Sequence, residues 1–166
     1  MGQGATFTLD LPAREKTAGV PAPVLDQQSR PLAGLRVLVV DDDRDTRDLL
    51  GDVIVTQGAE VFTAGTAEEA IIELERSLPD VLVSDLAMPG LDGYALVRLL
   101  RALRPEHGGL TPALALTADA RAETRARALT EGFQRYAAKP VNVVELTAVL
   151  KELGALATRR TTRPEA

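Results

Sequence analysis

Five short apolar runs, each followed by a helix-length amphipathic segment, occupy residues 35–153, and this alternation narrows the possible folds more than any other feature of the chain. The runs are LRVLVV (35–40), AEVFTA (59–64), DVLVS (80–84), PALAL (112–116) and RYAA (135–138). Helices are predicted between and after them, over 44–57, 66–77, 92–103, 119–131 and 142–153. Neighbouring parallel strands need a crossover of about a dozen residues or more, and each connection here is long enough. The expectation is an α/β fold: a doubly wound, five-stranded parallel sheet in the order 2-1-3-4-5 with helices on both faces. In such a sheet a site forms outside the carboxyl ends of the strands, where the strand order reverses between the first and third strands.

Local signals mark the helix ends. Thr66 with Glu69, and Asn142 with Glu145, have the spacing of an N-terminal capping box. Gly58 and Gly132 fall where the first and fourth helices should stop, at positions that often need left-handed backbone. Leu49, Leu50, Val53 and Ile54 form one apolar stripe; Leu146, Val149, Leu150 and Leu153 form another.

The residues that follow each strand concentrate charge at the predicted edge. The first strand runs into Asp41, Asp42 and Asp43, the third into Asp85, the fourth into Thr117 and the fifth into Lys139 and Pro140. A carboxylate at the end of a buried strand is costly unless it has a partner. Three such groups in one crevice repel and raise one another's pKa unless a cation sits among them. Oxygen-only ligands with room for water favour Mg²⁺. Lys139 and Thr117 add a point charge and a hydroxyl, both suited to phosphoryl oxygens. An aspartate facing a cation, a lysine and a hydroxyl is placed to attack phosphorus, because such chemistry depends on positioning and on neutralising the oxygens. Asp43 is expected to cap the first helix instead of joining the site.

Composition excludes several alternatives. With no cysteine there is no disulfide or thiolate chemistry, and one histidine, His107 in the loop-like RPEHGGL, excludes a multi-histidine metal centre. A formal net charge of −5 makes nucleic acid an unexpected partner, although Arg159, Arg160 and Arg163 make residues 155–166 a basic tail. Neither a secretory signal nor an apolar run long enough to span a membrane is visible, so a cytoplasmic location without membrane contact is expected.

Four segments, in order, resemble the receiver domains of two-component response regulators, which have a flavodoxin-like fold. VLVVDDD resembles the family's first strand and acidic pair, SDLAMPGLDG its phosphoacceptor segment, ALTA its switch hydroxyl segment and YAAKP its lysine segment. The resemblance implies a receiver over residues 35–154, phosphorylated on Asp85 by a histidine kinase or histidine phosphotransfer protein. It also implies Asp42 as a direct Mg²⁺ ligand, Asp41 as a ligand through water, and the main-chain carbonyl of Ala87 as a further ligand. Thr117 and Lys139 would contact the phosphoryl group, and Tyr136 would turn with Thr117. Signalling would pass through the fourth helix, fifth strand and fifth helix. Such a domain is not an independent enzyme, though it takes part in its own phosphorylation and dephosphorylation. The Ala87 side chain would flank the path of the water that removes the phosphate, as would Asp119.

GQGATFTLDLP, near the amino terminus, resembles the final turn and strand of a histidine-kinase ATP-binding domain. It implies a remnant over residues 1–12, a linker over 13–34 rich in proline, and an origin as the carboxyl-terminal receiver of a hybrid histidine kinase. Gly2 and Gly4 are not expected to act as a nucleotide cradle in this segment, which shows neither the strand nor the helix that such a motif needs beside it. Two other readings use the same residues. A haloacid dehalogenase-type phosphatase would take Asp41 as nucleophile and Asp43 as general acid, but leaves Asp85 without a role. A docking pseudo-receiver, never phosphorylated, predicts an eroded site, whereas every position is filled.

Overall fold

The computed structural model describes residues 30–161, with side chains through Thr158. The elements alternate as expected: β1 (Arg36–Val40), α1 (Arg44–Thr56), β2 (Glu60–Ala64), α2 (Ala67–Ser77), β3 (Val81–Asp85), α3 (Gly93–Ala102), β4 (Ala113–Thr117), α4 (Ala122–Glu131), β5 (Arg135–Ala138) and α5 (Val143–Thr161). The sheet is parallel throughout and its order is β2-β1-β3-β4-β5. The predicted doubly wound, flavodoxin-like topology is therefore the observed one.

Strand periodicity divides the core in two. Leu38, Val40, Leu82, Ala113 and Ala115 point to one face and pack with Ala70 and Leu74 of α2, Leu96, Val97 and Leu100 of α3, and Ala128 of α4. Val37, Val39, Val81, Val83, Leu114 and Leu116 point to the other, against Leu50 and Ile54 of α1 and Leu146, Leu150 and Leu153 of α5. Central strands must be apolar on both faces, which is why β3 and β4 are buried along their whole length. Edge strands β2 and β5 are only partly buried.

The predicted N-caps form through Thr66 and Asn142, whereas Glu69 reaches back to the Gly65 amide, one residue before the position a capping box uses. The Thr66 hydroxyl accepts from the Glu69 amide at 3.2 Å, and Asn142 Oδ1 from the Val144 amide at 2.8 Å. Gly58 (φ +100°) and Gly132 (φ +124°) provide the left-handed backbone at the ends of α1 and α4. Three boundaries differ from expectation by more than a single residue. Helix α4 starts at Ala122, not 119, because the Asp119 carboxylate accepts from the Arg121 amide at 3.1 Å and holds a turn ahead of the helix. Helix α5 continues to Thr161, so the first part of the presumed basic tail is helical.

The third difference is at the amino-terminal side. Residues 30–34 were read as the end of a linker, yet Leu32 is 2% exposed in the second core and its amide donates to the Gln57 carbonyl at 3.1 Å. Packing thus begins upstream of Leu35, because a leucine among prolines gives no periodic signal. The expected kinase remnant at 1–12 and the linker through Ser29 lie outside the described residues. Among the described residues no helix is long and apolar enough to cross a membrane.

Candidate functional site

Parallel registers bring the ends of β1, β3, β4 and β5 to one edge. Val40 lies opposite Ser84, Asp85 opposite Leu116, and Thr117 opposite Ala138. The residues just beyond therefore meet: Asp41 is 1% exposed, Asp85 7% and Thr117 4%. Lys139 enters from β5, where its amide donates to the Thr117 carbonyl at 2.7 Å.

Lys139 is the partner that the buried carboxylates require. Its ammonium donates to Asp41 Oδ2 at 2.7 Å and to Asp85 Oδ2 at 2.9 Å. Burial alone would push this ammonium down, but the hydrogen bonds and charges of Asp85 and Asp41 outweigh it and hold the lysine above its ordinary value. The remaining oxygens are engaged by main chain: Asp41 Oδ1 accepts from the Asp43 amide at 3.0 Å and Asp85 Oδ1 from the Ala87 amide at 3.2 Å. Asp43 caps α1 through the Thr46 amide, as expected, and stands apart from the site.

Asp41, the exposed Asp42 and Asp85 each present an oxygen atom, all within 4.8 Å of one another. Three hard oxygen donors that close, with one of them open to solvent, suit a small divalent cation that keeps part of its water shell. The Ala87 side chain is exposed beside Asp85. Thr117 Oγ1 accepts from the Asp119 amide at 3.1 Å, and the Tyr136 hydroxyl donates to the Asp119 carbonyl at 2.6 Å. All seven sequence-predicted positions thus lie at or next to one edge of the sheet, while His107 sits in a 3₁₀ turn (Pro105–His107) beyond the end of α3.

Supporting residues escaped the sequence reading. The Arg47 guanidinium donates to the Asp41 carbonyl at 2.6 Å, tying α1 to the acidic loop. The Ser84 hydroxyl donates to the Asp85 carbonyl at 2.8 Å. Gly93 lies against that same carbonyl: a Cβ there would stand 2.2 Å from the Asp85 oxygen. Nothing in local sequence distinguishes these from an ordinary helical arginine, strand serine and turn glycine.

A family model described as the response regulator receiver domain matches residues 37–151. The chain belongs to the response regulator receiver family. The receiver is 49% identical over 121 residues to an uncharacterized 14.6 kDa protein in the sodA1 3′ region of Leptolyngbya boryana, covering 73% of this chain and 91% of that one. It is 35% identical over 145 residues to the sensor histidine kinase RcsC of Salmonella typhi, covering 87% of this chain but only 15% of the kinase. Among solved structures it is similar to the receiver domain of the sensor histidine kinase PA1611 from Pseudomonas aeruginosa, with a TM-score of 0.67 and 31% identity over 74% of this chain and 99% of that one. That structure holds a magnesium ion in its active site cleft.

Proposed function

We propose that this receiver accepts a phosphoryl group on Asp85 from a phosphohistidine, with Mg²⁺ held by Asp42, Asp85 and the Ala87 carbonyl, and by Asp41 through water. The cluster of Asp41, Asp42, Asp85 and Lys139 carries this reading. An Asp85 oxygen forms the bond to phosphorus as the bond to the histidine nitrogen breaks, and the imidazole leaves with its electron pair. Bound Mg²⁺ supplies positive charge to the phosphoryl oxygens and lowers repulsion among the carboxylates. Lys139 keeps its bond to Asp41 and turns its second donor from Asp85 to a phosphoryl oxygen. Thr117 gives its hydroxyl proton to another.

The donor is a histidine kinase or a histidine phosphotransfer protein. An apolar groove of about 550 Å³ supports its docking beside the site, lined by Leu49, Leu50, Val53, Pro140, Val143 and Leu146 and reaching Lys139. Leu49 is 66% exposed there, which a partner helix would relieve. Phosphorylation then biases Thr117 and Tyr136 and alters the surface of α4, β5 and α5. Origin within a hybrid kinase is supported by the 145-residue similarity to RcsC, which is longer than the receiver match. Within such a kinase residues 1–12 would belong to the ATP-binding domain and 13–29 would connect it to the receiver, whose output is a relay to a phosphotransfer domain or feedback on the kinase.

Incubation with an acyl phosphate and Mg²⁺ tests the reading: label that is labile to base and to hydroxylamine should map to Asp85. Label on Asp41, with turnover of other phosphoesters, would favour the phosphatase reading, and no label the docking module. The phosphatase reading is disfavoured because Asp43, its general acid, is engaged in capping α1.

Two further results are expected. Lys139→Ala leaves two buried carboxylates without their cation and should cost about 1–3 kcal/mol in metal-free buffer. Mg²⁺ should restore part of that stability and bind the variant more tightly than wild type; thermal unfolding with and without Mg²⁺ checks both. At Ala87 a methyl group cannot hold a water molecule, whereas an amide can. Ala87→Asn should hasten loss of phosphate from Asp85 by about tenfold, since placement of a nucleophile governs such rates. Decay of the purified phosphoprotein measures it, and equal or slower decay would show that water placement there does not limit hydrolysis.

A further inference from the structure

Asp119 is joined to both proposed switch side chains through its main chain and to α4 through its side chain. Its amide donates to Thr117 Oγ1 at 3.1 Å, and its carbonyl accepts from the Tyr136 hydroxyl at 2.6 Å. Its carboxylate takes the Arg121 guanidinium in a fork, Nη2 to Oδ2 at 2.7 Å and Nε to Oδ1 at 2.9 Å, and also accepts from the Thr124 hydroxyl at 2.7 Å. These contacts hold the Asp119 carboxyl well below the usual carboxylate range, so the ion pair persists at any physiological pH.

The arrangement has a consequence for Thr117. A hydroxyl has one proton to give and lone pairs to receive. Here one lone pair is occupied by the Asp119 amide, and the hydroxyl proton is given to no acceptor among the described residues. The proton is thus left for an incoming oxygen, and the direction in which it can be offered depends on where the Asp119 amide is held. Asp119 lies in a loop between β4 and α4, where no sheet or helix hydrogen bond fixes that amide. The Arg121 amide, at 3.1 Å from Asp119 Oδ1, holds the turn, and the fork from the Arg121 guanidinium and the Thr124 hydroxyl add to that constraint.

We infer that Arg121, through Asp119, is a positioning residue that orients the Thr117 hydroxyl toward the phosphoryl group and sets the position of Tyr136. The inference rests on Asp85 being the phosphoacceptor. It predicts that Arg121 acts on phosphoryl recognition while leaving metal binding and the fold alone. Arg121 is 78% exposed, and exposed ion pairs contribute little to stability.

The test uses the full chain and beryllium fluoride, a phosphoryl mimic. With Mg²⁺ present, Arg121→Ala should bind beryllium fluoride about two- to fivefold more weakly than wild type, the range that an exposed ion pair can supply. Mg²⁺ affinity and the unfolding midpoint should stay near wild type, and the NMR ring signals of Tyr136 should shift. Asp119→Asn should weaken binding in the same direction. The double variant should be no worse than the stronger single one, because both changes break one clamp. Arg121→Lys, which keeps the charge but loses the fork, should retain only part of the affinity.

Wild-type affinity for beryllium fluoride in Arg121→Ala would overturn the inference, as would a parallel loss of Mg²⁺ affinity, which would indicate general damage to the site. Failure of wild type itself to bind the mimic at Asp85 would overturn the phosphoacceptor assignment and this inference with it. The two failures are therefore distinguishable.

Discussion

Asp85→Asn is expected to reduce acyl-phosphate labelling to background while leaving the protein folded. The change removes the nucleophilic carboxylate but is nearly isosteric. In the native site Asp85 Oδ2 accepts from Lys139 at 2.9 Å, and an amide oxygen can still accept that bond. Three carboxylates gather at this edge and two of them, Asp41 and Asp85, share one lysine, so neutralising Asp85 relieves repulsion even as it weakens the pair with Lys139. The two effects oppose each other, and the net change in stability should stay within about 1 kcal/mol. Labelling and thermal unfolding of the same preparation separate lost chemistry from lost fold. Acyl phosphate remaining on the folded variant would place the nucleophile elsewhere.

Gly93→Ala is expected to destabilise the fold strongly. Its Cβ would lie 2.2 Å from the Asp85 carbonyl oxygen and 2.9 Å from Leu86 Cα. Both are main-chain atoms, so no rotamer change can relieve the contact, and either α3 or the end of β3 must move. Overpacking commonly costs about 1–3 kcal/mol when side chains can adjust, and an unyielding backbone puts this case at about 3 kcal/mol or more. The unfolding midpoint should fall by roughly 10–15 °C. Because β3 carries Asp85, labelling of the folded fraction should slow as well. Gly51 provides the contrast. Within α1 its added Cβ would meet Val61 at an ordinary 3.7 Å, so Gly51→Ala should stabilise by about 0.5–1 kcal/mol. Equal effects of the two substitutions would mean that the close approach at Gly93 has been misjudged.

The site was legible where residue type and strand end coincide. Asp41, Asp42, Asp85, Thr117 and Lys139 each follow an apolar run, and a parallel sheet brings such positions to one edge. Arg47, Ser84, Gly93 and Arg121 were not legible. Each acts on a main-chain atom or on a neighbour placed by the fold, and such contacts leave no periodic trace. Leu32 escaped for a similar reason, since one buried leucine is not a pattern. The start of α4 was misplaced because the Asp119 side chain competes with the helix for the Arg121 amide.

By itself the sequence determined the element order, the alternation of apolar strand residues between two core faces, and the charged groups at the strand ends. Those are properties of residue type and period, and period selects the element whichever neighbours it later meets. Only the tertiary structure decided how the charges are distributed: that Lys139 bridges Asp41 and Asp85, and that Asp119 holds Thr117 and Tyr136 together. Lys139 is separated from Asp41 by 98 positions and from Asp85 by 54. Electrostatic and hydrogen-bond energies depend on distances of a few Å between atoms, and for residues so far apart in the chain those distances exist only once the sheet has closed its register.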